Sequence, residues 1–423
     1  MIVHVRNVWT VRRHECHTEW HRGYREPVDD AAPVGRRVAE LRRRAGLTQQ
    51  GLALRLHRSV SWVRKVEQGD RQLDNIRTMR EVAAALGVEL ADLREDLDPG
   101  RPGHATLPAL RRALTTSRPR VEPSPAQQLR AGVVAVGDAW QALPRAYSEV
   151  APLVPPLVEE ARAAAEEATG DARPDALLTL AMICQLAQEV AARLGEPDLS
   201  WIAATMALQA AQEADDPTAA AVGTWRVCHA VMRSGDMEEA GDLAAAAATE
   251  LAPVLRDSDP AALSVYGALR LVGAVAAART GDADDAAALL QDARATADQL
   301  GADRNDAWLT FGPTDTGVHA VAVAVELGDP AGALEVARTV DVGALLTLER
   351  QATHRVQVAH ALVQRRRDAD ALRQLLSAEW LNPEGLPHDT LAREIVAGLV
   401  RRDRRRQLAG LHDLARRLRV LSR

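Results

Sequence analysis

Leu47-Thr48-Gln49-Gln50-Gly51-Leu52-Ala53-Leu54-Arg55-Leu56-His57-Arg58-Ser59-Val60-Ser61-Trp62-Val63-Arg64-Lys65-Val66-Glu67-Gln68-Gly69 is the stretch on which the N-terminal fold turns. Thr48 and Ser59 are residues that cap helix N-termini, because a side-chain oxygen can take a backbone N–H that the first turn leaves unpaired. Leu52, Ala53 and Leu56 follow the first cap at helical spacing, and Val63 and Val66 follow the second. Two short helices joined by a tight turn at His57-Arg58 are therefore expected. Upstream, Val38, Leu41 and Ala45 line one face of a preceding helix that stops at Gly46. Downstream, Ile76, Met79, Val82 and Leu86 give a fourth helix stopped by Gly87, and Val88, Leu90 and Leu93 begin a fifth. Residues 33–97 thus read as one compact five-helix domain, all α.

The third helix has two unlike sides at 100° per residue. Val63 and Val66 share one, with Ser59 and Glu67 beside them, whereas Ser61, Arg64, Lys65 and Gln68 occupy the other. A helix lying in a DNA major groove needs such a polar, positive, hydrogen-bonding face backed by an apolar one. The run 47–71, with Val82-Ala83-x-Ala85-Leu86-Gly87-Val88 after it, resembles the phage-repressor (Xre/Cro) helix-turn-helix family of transcriptional regulators. Arg58-Ser59-Val60-Ser61-Trp62-Val63 resembles a subgroup common in actinobacterial regulators.

The resemblance implies that Val60, Ser61 and Lys65 sit at base-reading positions with Arg64 on the same exposed face. Lys65 or Arg64 would pair with guanine O6/N7 and Val60 would meet a thymine methyl. It also implies that Gln49 fixes a backbone phosphate and braces the reading helix, and that Gln68 and Arg71 approach phosphates. Glu67 would point inward to pair with Arg42 of the first helix. Three residues depart from the family pattern: Gly51 in the second helix, His57 where a turn glycine is common, and Arg58 at a position apolar in much of the family. Trp62 is expected to pack on the domain, with stacking on a sugar or base as the alternative.

Composition narrows the remaining options. Of 52 basic residues, 51 are Arg and one, Lys65, is Lys. No Walker A loop, kinase lysine or pyridoxal-phosphate lysine fits that single residue in Val63-Arg64-Lys65-Val66. No cofactor, metal site or enzymatic activity is expected. The three cysteines, Cys16, Cys184 and Cys228, show no paired spacing and suit a reducing cytoplasm. Residues 1–27 lack the apolar core of a signal peptide, and no apolar stretch is expected to reach the 18 or so residues of a membrane span. Residues 33–87 carry 12 basic against 5 acidic side chains, while the formal charge of the whole chain is −6. A basic module on an acidic body is the footprint of a nucleic-acid binder. The basic run 401–423, nine Arg against two Asp, reads as the solvated face of a last helix.

Residues 1–32 show no sustained period and read as a disordered tail. Its His14-x-Cys16-His17-x3-His21 lacks a second ligand cluster and is not assigned a metal. Residues 98–128, with six prolines, read as a linker that a short helix at 109–115 interrupts.

From 129 to 423 the chain reads as a repeating series of Ala-rich helical hairpins. Gly235-Asp236, Gly281-Asp282 and Gly328-Asp329 mark the turns, glycine ending one helix and aspartate capping the next. They are followed by Ala240, Ala244 and Ala247; by Ala286, Leu290 and Ala293; and by Ala333, Ala337 and Val340. Gly195 precedes a similar segment through Ala203 and Ala207, and Arg366-Arg367-Asp368 another, with Arg in place of Gly. These hairpins resemble tetratricopeptide repeats, whose period is about 34 residues, although the spacing here is longer. The resemblance implies an α-solenoid whose concave face holds a small-molecule, peptide or protein effector, or else serves only dimerisation. Phe311-Gly312-Pro313-Thr314, His319 and Val325-Glu326-Leu327-Gly328-Asp329 extend the likeness to the C-terminal half of such regulators. Trp308, Phe311, Thr314, Asp315 and His319 combine aromatic and polar groups where the helical pattern breaks, which marks them as candidate ligand-binding residues. A helix cap and packing plug is the competing reading of the same segment.

The sequence therefore points to a cytoplasmic, homodimeric regulator that binds double-stranded DNA and senses an effector through a tetratricopeptide-like domain. The alternative is an interaction scaffold that the helix-turn-helix domain merely localises.

Overall fold

The computed structural model describes residues 33–45, 47–56, 58–68, 76–88, 104–117, 119, 121–257 and 259–421. The N-terminal tail with its His/Cys cluster, Arg71 and the fifth helix beyond Val88 lie outside them. Contacts divide the chain into unit 1, Met1–Pro99, and unit 2, Gly100–Arg423. The described residues are helical throughout, and the one pairing of extended backbone is an isolated bridge between Arg304 and Phe311.

Unit 1 contains α1 (Pro33–Arg44), α2 (Gln49–Arg55), α3 (Val60–Glu67) and α4 (Ile76–Leu86). The helices begin and stop where local chemistry requires. The Thr48 hydroxyl accepts the Gly51 N–H at 3.0 Å, and Ser59 accepts that of Trp62 at 3.1 Å. Gly87 ends α4 with φ +71°. Val38, Leu41, Leu52, Ala53, Leu56, Val63, Val66, Val82, Ala83 and Leu86 form one core. Each fully buried Val or Leu contributes about 1.5–3 kcal/mol. Ala45, expected on that face, is exposed because α1 has already ended. Gly35 brings α1 close against α3: a β-carbon built on it would lie 2.1 Å from the Val66 carbonyl oxygen.

Unit 2 opens with α5 (Leu107–Thr115), α6 (Ala126–Ala142), the short α7 (Ala146–Glu149) and α8 (Val154–Glu167). Leu110, Ala113 and Leu114 of α5 share a core with Leu129 and Val133 of α6, so the compact unit takes in part of the stretch read as linker. Six helix pairs follow among the described residues. They are α9 (Ala172–Arg193) with α10 (Pro197–Glu213), α11 (Pro217–Ser234) with α12 (Met237–Leu251), and α13 (Pro260–Thr280) with α14 (Ala283–Leu300). The last three are α15 (Pro313–Glu326) with α16 (Pro330–Thr339), α17 (Leu348–Gln364) with α18 (Asp368–Leu381), and α19 (Thr390–Arg402) with α20 (Leu411–Arg417). The first helix of each pair packs on the first helix of the next, which makes the stack an α-solenoid.

The turns form as the Gly-Asp pairs dictate. Gly235, Gly281 and Gly328 adopt φ of +93°, +91° and +79°. Asp236, Asp282 and Asp329 then accept the N–H of Glu239, Asp285 and Gly332. Arg366, in the glycine position of the fifth pair, takes the same left-handed conformation at φ +58°. Ala240, Ala286 and Ala333 are fully buried, so the second helix of each pair can approach the first closely.

The expectation that no apolar stretch is long enough to span a membrane needs correction. Among the described residues α9 and α13 have that length and hydropathy. The solenoid buries 67% and 78% of their most apolar windows, which explains why they are apolar all round.

Contacts far apart in sequence also join α7 to the segment between α18 and α19. Ser148 of α7 donates its N–H and hydroxyl to Glu384, beyond α18, at 2.9 and 2.5 Å. Tyr147 stacks on His388 with ring centroids 5.7 Å apart, and Arg193 of α9 pairs with Glu349 of α17.

Candidate functional site

In unit 1 the third helix presents its polar side to solvent. Val63 and Val66 are buried at 1% exposure, while Val60, at 43%, and Ser61, Arg64, Lys65 and Gln68 are exposed. The separation follows from helical spacing alone, since the two valines are three residues apart and the exposed residues fall between and beyond them. Behind the helix, Arg42 donates to both oxygens of Glu67 at 2.6 and 3.0 Å and to the Leu47 carbonyl at 2.8 Å. Gln49 donates its side-chain amide to Glu67 at 2.8 Å. Burial opposes ionisation of Glu67, but the hydrogen bonds from Arg42 and Gln49 outweigh it and hold the carboxyl below its usual range. Gln49 is thus engaged inside the domain as a brace, the role its resemblance implied alongside a phosphate contact. Trp62 is partly buried against the domain core, with the Arg58 guanidinium over its ring at 5.7 Å.

The five candidate ligand residues of unit 2 separate into two groups. Trp308 and Phe311 are packing groups. The Trp308 ring lies against Gly137 of α6, donates its indole N–H to Asp138 at 2.9 Å, and is 8% exposed. Phe311 is fully buried against Gly267 of α13. The loop that delivers them is strained: Ala307, Trp308 and Thr310 have φ of +49°, +59° and +37°. Such conformations cost of order 1–3 kcal/mol each, offset here by two buried aromatic rings. Thr314 donates its backbone N–H to Asp303 at 2.9 Å, an N-terminal cap for α15.

Asp315 and His319 do come together, around a residue that sequence reading missed. Arg350 of α17 donates to both oxygens of Asp315, and its guanidinium lies 3.2 Å from His319 Nδ1. Burial disfavours the Asp315 carboxylate, but the Arg350 charge more than compensates and holds its pKa well below the usual range. A second buried pair joins Arg226 of α11 to Glu189 of α9 at 2.8 Å. Arg226, His229 and Arg233 recur at i, i+3 and i+7 along an otherwise apolar helix, a polar stripe that was visible in the sequence and not singled out. Burial, then the charges of Arg233 and Arg226, keep His229 well below its ordinary pKa and so neutral. Among the described residues no cluster of His, Cys, Asp and Glu is arranged to hold a metal. Burial pushes the Cys184 and Cys228 thiols up to about 12, so neither is a reactive thiolate. The C-terminal arginines are partly committed to structure, with Arg402 on Asp368 at 2.8 Å and Arg417 on Glu379 at 2.7 Å.

With this geometry in place, the match to a family model falls on unit 1. Residues 33–97 match the family model of a helix-turn-helix domain. The N-terminal unit is a helix-turn-helix domain. No curated protein matches the sequence. Among solved structures, Bacillus thuringiensis PlcR in complex with the peptide PapR7 and DNA matches 64% of this chain and 95% of its own length. The identity is 14% and the TM-score 0.27, so the assignment of unit 2 rests on its own stacked helix pairs.

Proposed function

We propose that the chain is a sequence-specific, DNA-binding transcriptional regulator whose helix-turn-helix domain reads the major groove through α3. The exposed face of that helix carries the reading. Arg64 and Lys65 offer cationic donors, Ser61 and Gln68 hydrogen bonds, and Val60 an apolar surface, all on a helix fixed from behind by Arg42 and Glu67. Lys65 or Arg64 meets a guanine edge, Val60 meets a thymine methyl, and Gln49, Gln68 and Arg71 contact phosphates. Each base contact is worth about 1–3 kcal/mol of discrimination. The protein acts in the cytoplasm as a homodimer, without enzymatic activity of its own. Two-fold related reading helices then meet half-sites about 34 Å apart, which makes the operator palindromic. The tetratricopeptide-like solenoid senses an effector and changes the affinity for DNA.

Selection of genomic fragments by the purified full-length protein tests this directly. Enrichment of a palindromic sequence at moderate salt is expected, with affinity falling steeply as salt rises. Recovery of fragments with no common sequence would remove specific regulation.

A further inference from the structure

The second helices of two neighbouring pairs in unit 2 leave a cleft between them. Among the described residues α12 and α14 each pack along α13, which forms the floor of the cleft while they form its walls. Its volume is about 520 Å³, within the range of small-molecule sites. Small side chains open it. A β-carbon built on Gly241 of α12 would make only an ordinary contact, 3.8 Å from that of Ala276 on α13, with no other neighbouring atom within 4 Å. Glycine inside a helix costs stability relative to alanine, and no close approach of another backbone requires it here. What its missing side chain leaves is room in the cleft. Leu269 and Ala277 of α13, with Leu289 of α14, make the floor apolar.

The walls carry one sign of charge. Glu238 and Asp242 come from α12, and Asp282 and Asp285 from the start of α14. All four are exposed, and none forms an ion pair with a described residue. Three of them also serve a helix end: Glu238 and Asp285 lie in first turns, and Asp282 caps α14. Asp242, in the second turn of α12, has no such role. Arg270, the one cation in the lining, is engaged elsewhere. It donates to the Tyr266 hydroxyl at 2.9 Å, and its Nε lies 2.8 Å from the Asp292 carboxylate. A cleft with uncompensated charge of one sign and low-dielectric walls concentrates counter-ions.

We propose that this cleft binds a linear aliphatic polyamine, with its ammonium groups on the carboxylates of α12 and α14 and its methylene chain across the floor between them. Carboxylates on two walls call for two or more cations in one ligand. The apolar floor calls for a hydrocarbon spacer, which a hydrated metal ion lacks. The proposal rests on reading the solenoid as a sensor and names the class of effector that it senses.

Isothermal titration calorimetry of the full-length protein with spermidine tests the site, with butylamine and magnesium chloride at matched ionic strength as comparisons. Wild type should bind spermidine saturably and about 5-fold or more tighter than butylamine, which can engage one wall only. Asp242→Asn and Asp285→Asn, one from each wall, should each weaken spermidine binding up to about 5-fold, and the double variant more than either. Ala245→Leu keeps every charge but fills the cleft from its α12 wall, where Ala245 is exposed, and should weaken binding as well. Asp298→Asn, an exposed carboxylate of α14 outside the cleft, should bind as wild type does. Because Asp242 has no partner to strand, its substitution should leave the Tm without ligand unchanged. Equal affinity in wild type and the double variant, equal affinity in Ala245→Leu, or magnesium binding as tightly as spermidine overturns the site. Polyamines also bind DNA, so the effect on operator affinity is read as the difference between wild type and the double variant at one spermidine concentration. Calorimetric binding that depends on the four carboxylates, with no such difference, keeps the site and removes the sensor reading. DNA binding that responds to another effector, with no calorimetric binding of spermidine, removes the site alone.

Discussion

Gly35→Ala puts the packing of the reading helix to a test of sign. In a helix interior alanine is favoured over glycine by about 0.8–1.0 kcal/mol, so propensity alone makes the variant more stable. The structure gives the opposite answer. The new β-carbon would lie 2.1 Å from the Val66 carbonyl oxygen and 3.2 Å from that of Glu67. Both obstacles are backbone of α3, which has no rotamer to change, so α1 and α3 must separate by about 1 Å. Overpacking of this kind costs about 1–3 kcal/mol and sometimes more. A main-chain collision belongs at the upper end, which leaves a net loss of about 2 kcal/mol. For a domain of this size that lowers the Tm by about 8–16 °C. Hydrogen exchange of the full-length protein reads the effect locally: amides of 60–68 should lose protection in Gly35→Ala while those of unit 2 keep theirs. Separation of the two helices also releases Glu67 from Arg42, so DNA affinity should fall without any change at a DNA-facing residue. Equal or greater protection of α3 in the variant would refute the close approach.

Glu67→Gln leaves Arg42, 12% exposed in its side chain, without its counter-charge and should cost about 3 kcal/mol, measured by urea unfolding. The folded pKa of Glu67 is depressed, so its stabilisation is present above the unfolded carboxylate value near 4.3 and is lost as pH falls through the lower folded value. The variant should therefore lose less stability than wild type on acidification over that window, and parallel pH profiles would exclude the pair as its source. Lys65→Arg keeps the charge but replaces a point donor with a planar fork, and should change the preferred base at one operator position in a selection experiment. An unchanged preference would reduce Lys65 to a phosphate contact. Trp308→Ala should destabilise unit 2 by about 3–5 kcal/mol and expose amides of 303–312 to exchange, since the indole both fills the space over Gly137 and holds Asp138. A loop that kept its protection would show that Phe311 alone anchors it.

The elements that local chemistry decides were legible in the sequence. Thr48 and Ser59 start α2 and α3 where caps were expected, and the Gly-Asp pairs turn the chain where their conformational freedom allows. Even Arg366 in a glycine position was readable as a turn. The division of α3 into a buried and an exposed side followed from the spacing of Val63 and Val66. What depends on distant partners was not legible. Trp308 and Phe311 admit two readings in the sequence, ligand pocket or packing plug, because aromatic and polar groups cluster where the helical pattern breaks. Their counter-surfaces, Gly137 and Gly267, are far away in sequence and reveal nothing of their role until the chain is folded. Arg350 was invisible as the partner of Asp315 for the same reason, lying 35 residues away on another helix. The α11 stripe of Arg226, His229 and Arg233 was within reach of periodicity, but Ala-rich repeats drew attention to small residues instead of to charged ones.

The joining of Ser148 to Glu384 spans 236 residues. A stack of helix pairs ordinarily behaves as a one-dimensional chain of nearest neighbours, so its terminal pairs fray first and partly melted states are populated. Here an element near the start of the stack is tied to the segment between α18 and α19, so the pairs between them cannot open independently of that contact. Melting of unit 2 should accordingly be sharper than its repeat architecture predicts. Such a long-range contact also forms slowly, because the intervening chain must be ordered before its ends can meet. The contact is thus late to form, and Glu384→Ala, which removes it, should leave the helices of unit 2 in place while broadening its melt.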